Sequence, residues 1–262
     1  MTVLAIGALA HRALSRSAGR AVPLAAFADS PYFAADGDII WVGSRLPAMH
    51  PRAVMTAAPQ TRGRPLVFAH WPAPTPVDTF DGVAACRLAG RARVLRSALV
   101  AAETPRGFGV LLAGGTPEFP LDLGVARVQA LARAYAADDV AAVEAATLAL
   151  AGFGTGLTPS GDDLAGGALF GRRVVSTDPQ WAAAAERLVP LVAARTHAIS
   201  AALFADLARG ASFAPLHEVV AALARGDDRG ALSAARTLAR IGHSSGWDML
   251  AGLIVGIIGE PT

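Results

Sequence analysis

Short apolar runs separated by turn-forming residues dominate the first 77 positions: TVLAIGAL, AVPLAAF, DIIWVG, RAVMTA and PLVFAHW, each bounded by Gly, Pro, Asp or Ser. Runs of that length and punctuation are the pattern of strands. Asp36-Gly37, just ahead of DIIWVG, is a hairpin-turn dipeptide. The opening run is read as a first strand, followed by a polar segment that carries Arg12, Arg16 and Arg20. The proline-rich WPAPTPVD (71–78) reads as a connection, Asp78 to Leu99 as a helix with Arg87, Arg91, Arg93 and Arg96 on a solvated stripe, and GFGVLLAGG (107–115) as one more strand. Beyond TPEFP (116–120) the period changes to long alanine-rich helical segments broken by glycine clusters. The expected fold class is α+β: a β-rich domain over residues 1–120, then an all-helical domain over 121–262.

The helical half contains a repeat. SGDDLAGGALFG (160–171) and SGWDMLAGLIVG (245–256) share Ser, Gly, Asp, Gly and Gly at matched positions. Each follows an alanine-rich helix opening with Asp-Asp, at Asp138-Asp139 and at Asp227-Asp228. A helix-loop-helix duplication of this kind packs about a pseudo-twofold axis. The glycines at 167/171 and 252/256, four apart on one helix face, would let the second helices approach closely.

Composition narrows the chemistry. A hydrophobic fraction of 53% supplies a sizeable core, and the single cysteine, Cys86, excludes a disulfide framework and any Cys-rich metal site. A net charge of +2 with scattered arginines gives no nucleic-acid footprint. The longest apolar stretch, Met249 to Ile258, is half the ~20 residues a membrane span needs. A soluble, cytoplasmic protein with no membrane partner is expected. All 23 basic residues are arginine. Schiff-base chemistry and a P-loop lysine are therefore excluded.

GFGTGLTPSGDD (152–163) concentrates glycines, hydroxyls and acids in one place. It lacks the third glycine and the preceding strand of a dinucleotide fingerprint, and the lysine of a phosphate loop. It reads instead as a helix start, with Thr158 as N-cap, Pro159 at the first helical position and Asp162 and Asp163 in the first turn. Such a terminus can be a plain cap or can offer N–H groups to a small anion. GHSSGWD (242–248) repeats the design with His243, Ser244, Ser245, Gly246 and Asp248. Both starts are expected to converge on one small-anion pocket lined by Gly154, Gly156, Thr158, Ser160, Gly161, Ser244 and Ser245. Asp163, which matches Asp248, is expected to organise the loop more than Asp162, which matches Trp247.

The two glycine-aspartate motifs, with HPRAV (50–54) and RTHAIS (195–200), resemble the AllH-type family of oxamate carbamoyltransferase subunits. The resemblance implies exchange of a carbamoyl group between oxalurate and phosphate in ureide (allantoin) nitrogen catabolism. It also implies FdrA-like and AllG-like partner subunits. Set against that chemistry, His243, Asp163 and Asp248 are the candidate catalytic groups. Arg195 would clamp the oxamate carboxylate, with Thr196 and Ser200 nearby on one helix face. No cofactor is called for. Mg²⁺ held by Asp162, Asp163 and Asp248 belongs to a rival phosphoryl-transfer reading, and a non-catalytic anion-binding or scaffolding subunit to another. His50 and Arg52 read as a carboxylate-reading loop or a polar turn.

Overall fold

The structure, a computed structural model, describes residues 1–25, 32–59, 63–75 and 85–260. Its contacts divide the chain into two units, Met1–Asp78 and Thr79–Thr262. The first unit is a six-stranded mixed sheet with one helix, and the second is built from helices. This is the α+β class expected from the pattern.

In the first unit, β1 (Val3–Ile6), β2 (Arg20–Ala25), β3 (Tyr32–Ala35), β4 (Asp38–Gly43), β5 (Ala53–Thr56) and β6 (Leu66–Val67) pair in the order β1-β5-β4-β3-β2-β6. Among these described strands, only β4 and β5 run parallel. The β3–β4 hairpin closes at Asp36 (φ 49°) and Gly37 (φ 77°), the double left-handed geometry that selects Asp-Gly. The segment read as polar after the first strand is instead α1 (Ala8–Arg16). Ala10, Ala13 and Leu14, at helical spacing, face the sheet and join Phe33, Ile40 and Val54 in its core. His50 and Arg52 form a structural turn. His50 Nδ1 accepts the Arg52 N–H at 3.1 Å, and the largely buried Arg52 guanidinium donates to Asp38 and to Ile39 O.

The second unit starts with α2 (Ala85–Ala102); the preceding positions 78–84 of the helix read from the sequence lie outside the described residues. GFGVLLAGG is not a strand. It coils into a 3-10 segment, Gly107–Ala113, that lies against the last helix, and a second 3-10 turn spans Leu121–Gly124. Because α2 and this segment pack on helices, the division falls at Asp78/Thr79 rather than near residue 120. Then come α3 (Val125–Ala136), α4 (Val140–Leu150), α5 (Ser160–Val175), α6 (Pro179–Ala193), α7 (Ala198–Ala208), α8 (Ala214–Arg225), α9 (Asp228–Ala239) and α10 (Ser245–Ile258).

The duplication is visible in reciprocal contacts. Asp139 caps α4 through the Ala142 N–H, and Asp227 caps α9 through the Gly230 N–H. A methyl at Gly161 would strike Leu150 O, and one at the matched Gly246 would strike Leu238 O. Where α5 crosses α10, Gly167 lies on the Met249 backbone and Gly252 on Leu164. Further along, Gly171 lies on Leu253 and Gly256 on Ala168. Under the repeat's correspondence each contact is the mirror of its partner, the signature of a twofold relation. The crossing is sealed by Leu164, Leu250 and Leu253, each fully buried and each contributing roughly 1.5–3 kcal/mol of apolar burial.

Gly252→Ala should therefore cost about 3 kcal/mol, since its methyl meets backbone that cannot swing aside. Gly90→Ala on the exposed side of α2, where no atom lies within 4 Å, should gain about 0.5–1 kcal/mol. Urea denaturation of both variants measures this; equal midpoints would remove the close crossing as the source of stability.

Candidate functional site

The helix starts of α5 and α10 meet. Thr158 Oγ1 lies 2.9 Å from Ser245 Oγ, and Ser160 Oγ lies 3.4 Å from Ser244 Oγ. Beneath these hydroxyls sit two carboxyls, Asp163 and Asp248, 4% and 0% exposed. Each acid takes one hydroxyl from the other repeat and one from its own: Asp163 from Ser245 and Thr158, and Asp248 from Ser160 and Ser244. Asp248 Oδ1 also accepts the Phe108 N–H at 2.7 Å. One oxygen on each acid, Oδ2, is buried with no partner among the described residues.

Burial dominates the electrostatics here. Desolvation lifts the Asp163 carboxyl well above the usual carboxylate range, and the charges of Asp248 and then Asp162 add to the lift, against the Ser245 and Thr158 hydroxyls. Asp248 is pushed up to about 7 by burial, against the hydrogen bonds from Ser160, the Phe108 N–H and Ser244. An acid in that range takes and gives protons at neutral pH.

Several sequence expectations change in detail. The first helical residue of α5 is Ser160 and its cap position is Pro159, so Thr158 is not the N-cap; its hydroxyl reaches across to Ser245 instead. The Gly161 N–H is not free for a ligand, because it donates to Phe153 O at 2.8 Å; the Gly246 N–H likewise donates to Ile241 O at 3.1 Å. Gly152 (φ 72°), Gly154 (φ 114°) and Gly156 (φ 97°) are all left-handed, and Gly152 also passes directly over Arg195 O. The glycine-rich character of the loop is thus a demand of backbone geometry.

Asp162, rather than Asp163, organises the loop. Its Oδ1 accepts the Gly152 N–H at 2.7 Å, and its Oδ2 accepts from Thr196 Oγ1 at 2.5 Å and Ser200 Oγ at 2.7 Å. The equivalence to Trp247 conceals this, because the acid serves only its own repeat. Thr196 and Ser200 thereby belong to the anchor of the loop. Arg195 is exposed and donates from Nη1 to Leu148 O at 2.9 Å, capping the end of α4. His243 is exposed in the turn ahead of α10, beside Ser244.

Sequence reasoning does not place the Gly107–Ala113 segment in the site, yet it belongs there. Gly107 (φ 56°) presses on Asp248 and Ser244, and Gly109 on Trp247. A signal exists: Gly-Phe-Gly occurs at 107–109 and again at 152–154. Phe108 and Phe153 stack at 6.2 Å between ring centres, with Gly124 against both. No cluster of three or more His, Cys, Asp or Glu able to hold a metal occurs among the described residues. None of the helices among those residues is long and apolar enough to cross a membrane.

Fold and site together define a duplicated helical unit in which two glycine-bearing helices start at one polar, acid-containing site. The family model described as oxamate carbamoyltransferase subunit AllH matches residues 150–257, from the last residue of α4 to within the last turn of α10. The resemblance carried by the two motifs is borne out over that stretch. No curated protein and no solved structure matches the chain.

Removing the Asp162 carboxyl by Asp162→Ala should cost about 3 kcal/mol or more, because three donors lose a shared acceptor. Thr196→Val should cost about 1 kcal/mol. Thermal unfolding of the two variants decides it, and a loss at Asp162 no larger than at Thr196 would refute the anchoring role.

Proposed function

We propose that this chain is a subunit of a carbamoyltransferase that moves a carbamoyl group between oxalurate and phosphate in ureide nitrogen catabolism. The reading is supported by the AllH-type match over residues 150–257 and carried by one observation, the meeting of the two hydroxyl-rich helix starts over Asp163 and Asp248. In the direction of breakdown, a phosphate oxygen attacks the ureido carbonyl carbon, and the bond from that carbon to the oxamate nitrogen breaks. The leaving nitrogen takes up a proton, and carbamoyl phosphate and oxamate are released.

The residues fit these demands. Thr158, Ser160, Ser244 and Ser245 each have one hydroxyl proton, which turns from the carboxyl beneath to a carbonyl or phosphoryl oxygen as charge develops there. The starts of α5 and α10 add their partial positive charge. Asp248, poised near neutrality, supplies or removes the proton at nitrogen through the Ser160 and Ser244 hydroxyls that bond it. His243, exposed at the rim, is a second proton carrier. The arginine that meets the oxamate carboxylate is not supplied by Arg195 in its present bond. That role falls to a partner subunit of the FdrA-like or AllG-like kind, or to Arg195 after it leaves Leu148.

A second reading is favoured by the same burial of Asp163 and Asp248: a non-catalytic subunit that binds a small anion or scaffolds partners which perform the chemistry. Reconstitution with partner subunits separates the two. Carbamoyl phosphate formation from oxalurate and phosphate is expected, with Ser245→Ala lowering kcat about 10²-fold while assembly persists. Undiminished turnover in both Ser245→Ala and His243→Ala complexes favours the scaffold. Absence of any carbamoyl phosphate from a complete assembly overturns the proposed reaction.

A further inference from the structure

The crossing of α5 and α10 buries two acids and supplies no cation to neutralise them. Asp163 and Asp248 occupy matched positions of the repeat, each one residue ahead of the glycine-backbone contacts that fix the crossing: Leu164 against Gly252, Met249 against Gly167. The neighbours of each carboxyl are hydroxyls and, for Asp248, the Phe108 N–H. On both acids Oδ2 is buried and unpartnered among the described residues. Two ionised carboxylates in such surroundings repel each other and forfeit hydration that the hydroxyl and N–H bonds replace only in part.

We propose that Asp163 and Asp248 hold one proton between them at neutral pH, so that the crossing buries a single negative charge, and that loss of this proton loosens the joined starts of α5 and α10. The proton belongs to the pair rather than to either residue. It turns one unpartnered acceptor into a donor and cancels the mutual repulsion. The lift of both carboxyls above the usual range, with each acid's burial as the main cause, agrees with this. The inference concerns the folded chain alone and does not depend on the proposed reaction.

The surrounding charges do not undo it. On α5 the nearest is Asp162, another acid, which raises Asp163 further. The Gly107–Ala113 segment against α10 carries no titratable side chain. On α2, Arg93 is paired with Glu260 and Arg91 donates to Leu223 O, while Arg87 and Arg96 complete its basic groups. Arg236 of α9 pairs with Glu103, and Arg229 and Asp228 lie in its first turn. Arg127 of α3 lies over Phe153, and Arg133 belongs to its last turn. Glu144 of α4 and Glu186 and Arg187 of α6 are paired at the surface; Asp206 of α7 is buried. At the far end of α5, Arg172 stacks on Tyr135 and Trp181, beside Arg173. His243 is exposed in the turn before α10. None of these basic groups is among the influences on either carboxyl.

The sign follows from linkage. Both folded-state values lie above the unfolded value, so the folded chain binds more protons than the unfolded one between them. The stabilisation is complete in acid below the unfolded value and is lost as pH rises through the folded value, about 7 for Asp248. Unfolding of the wild-type chain at pH 8, above the value of about 7 for Asp248 and far above that of exposed aspartates, should release about one proton from this pair. Calorimetric unfolding in buffers of different ionisation enthalpy measures that release. In Asp163→Asn and in Asp248→Asn one member of the pair is a fixed neutral amide, the remaining acid carries the single charge, and the release should fall by about one proton relative to wild type. Release that persists undiminished in both variants overturns the shared proton. Should either variant fail to fold, ¹³C NMR of the aspartate carboxyls in the wild-type chain tests the same proton: a pair titrating near neutrality supports it, and all carboxyls titrating near their ordinary value overturn it.

Discussion

The close crossing of α5 and α10 is the constraint on which the helical unit depends. Backbone meets backbone there through Gly167, Gly171, Gly252 and Gly256, and no side chain larger than hydrogen fits at those four positions. The contacts advance in step along both helices, from Leu164 and Gly252 to Ala168 and Gly256 and from Gly167 and Met249 to Gly171 and Leu253, so the helices run parallel and their starts come together. Once the crossing is fixed, Ser160 and Ser244, or Thr158 and Ser245, have no route to be far apart. The same approach places Asp163 and Asp248 under the hydroxyls and out of reach of water. Packing, polarity and the electrostatic tension of the site are therefore consequences of one contact between small residues.

The second constraint is the loop that precedes α5. Its three left-handed glycines permit a path that delivers the Phe153 carbonyl to the Gly161 N–H and the Gly152 N–H to Asp162. The shorter turn before α10 reaches the equivalent result with Ile241 accepting from Gly246. The longer loop needs an additional fastening, and Asp162 provides it through Thr196 and Ser200. At the matched position of the other repeat, Trp247 packs against Gly109 instead.

How much of this is legible in the sequence depends on whether the information is local. The strands from DIIWVG and RAVMTA, the Asp36-Gly37 turn, the Asp caps of α4 and α9, and the duplication itself all follow from spacing within a short window. The helix α1 is legible in principle, since Ala10, Ala13 and Leu14 keep helical spacing and Arg12 and Arg16 lie four apart; the preceding strand-like run obscures it. GFGVLLAGG misleads because its apolar run suits a strand, whereas its glycines are set by the side chains of Asp248 and Trp247 far along the chain. Asp162 and Arg195 mislead for a related reason. Their partners, Gly152 and Leu148, lie 10 and 47 positions away, and which acid turns toward the loop is decided by three-dimensional placement.

The unequal pair Asp162 and Trp247 has a consequence for recognition. A site with perfect twofold symmetry cannot tell the head of a guest molecule from its tail, because both halves present the same wall. Here one flank is braced by a web of hydrogen bonds reaching to α7, and the other by an aromatic ring against a 3-10 segment. Of the hydroxyl residues only Ser160 and Ser245 stand at matched positions, while Thr158 matches His243 and Ser244 matches Pro159, so the two flanks differ in their hydroxyls as well. An asymmetric molecule placed between the two helix starts would meet a different wall on each side.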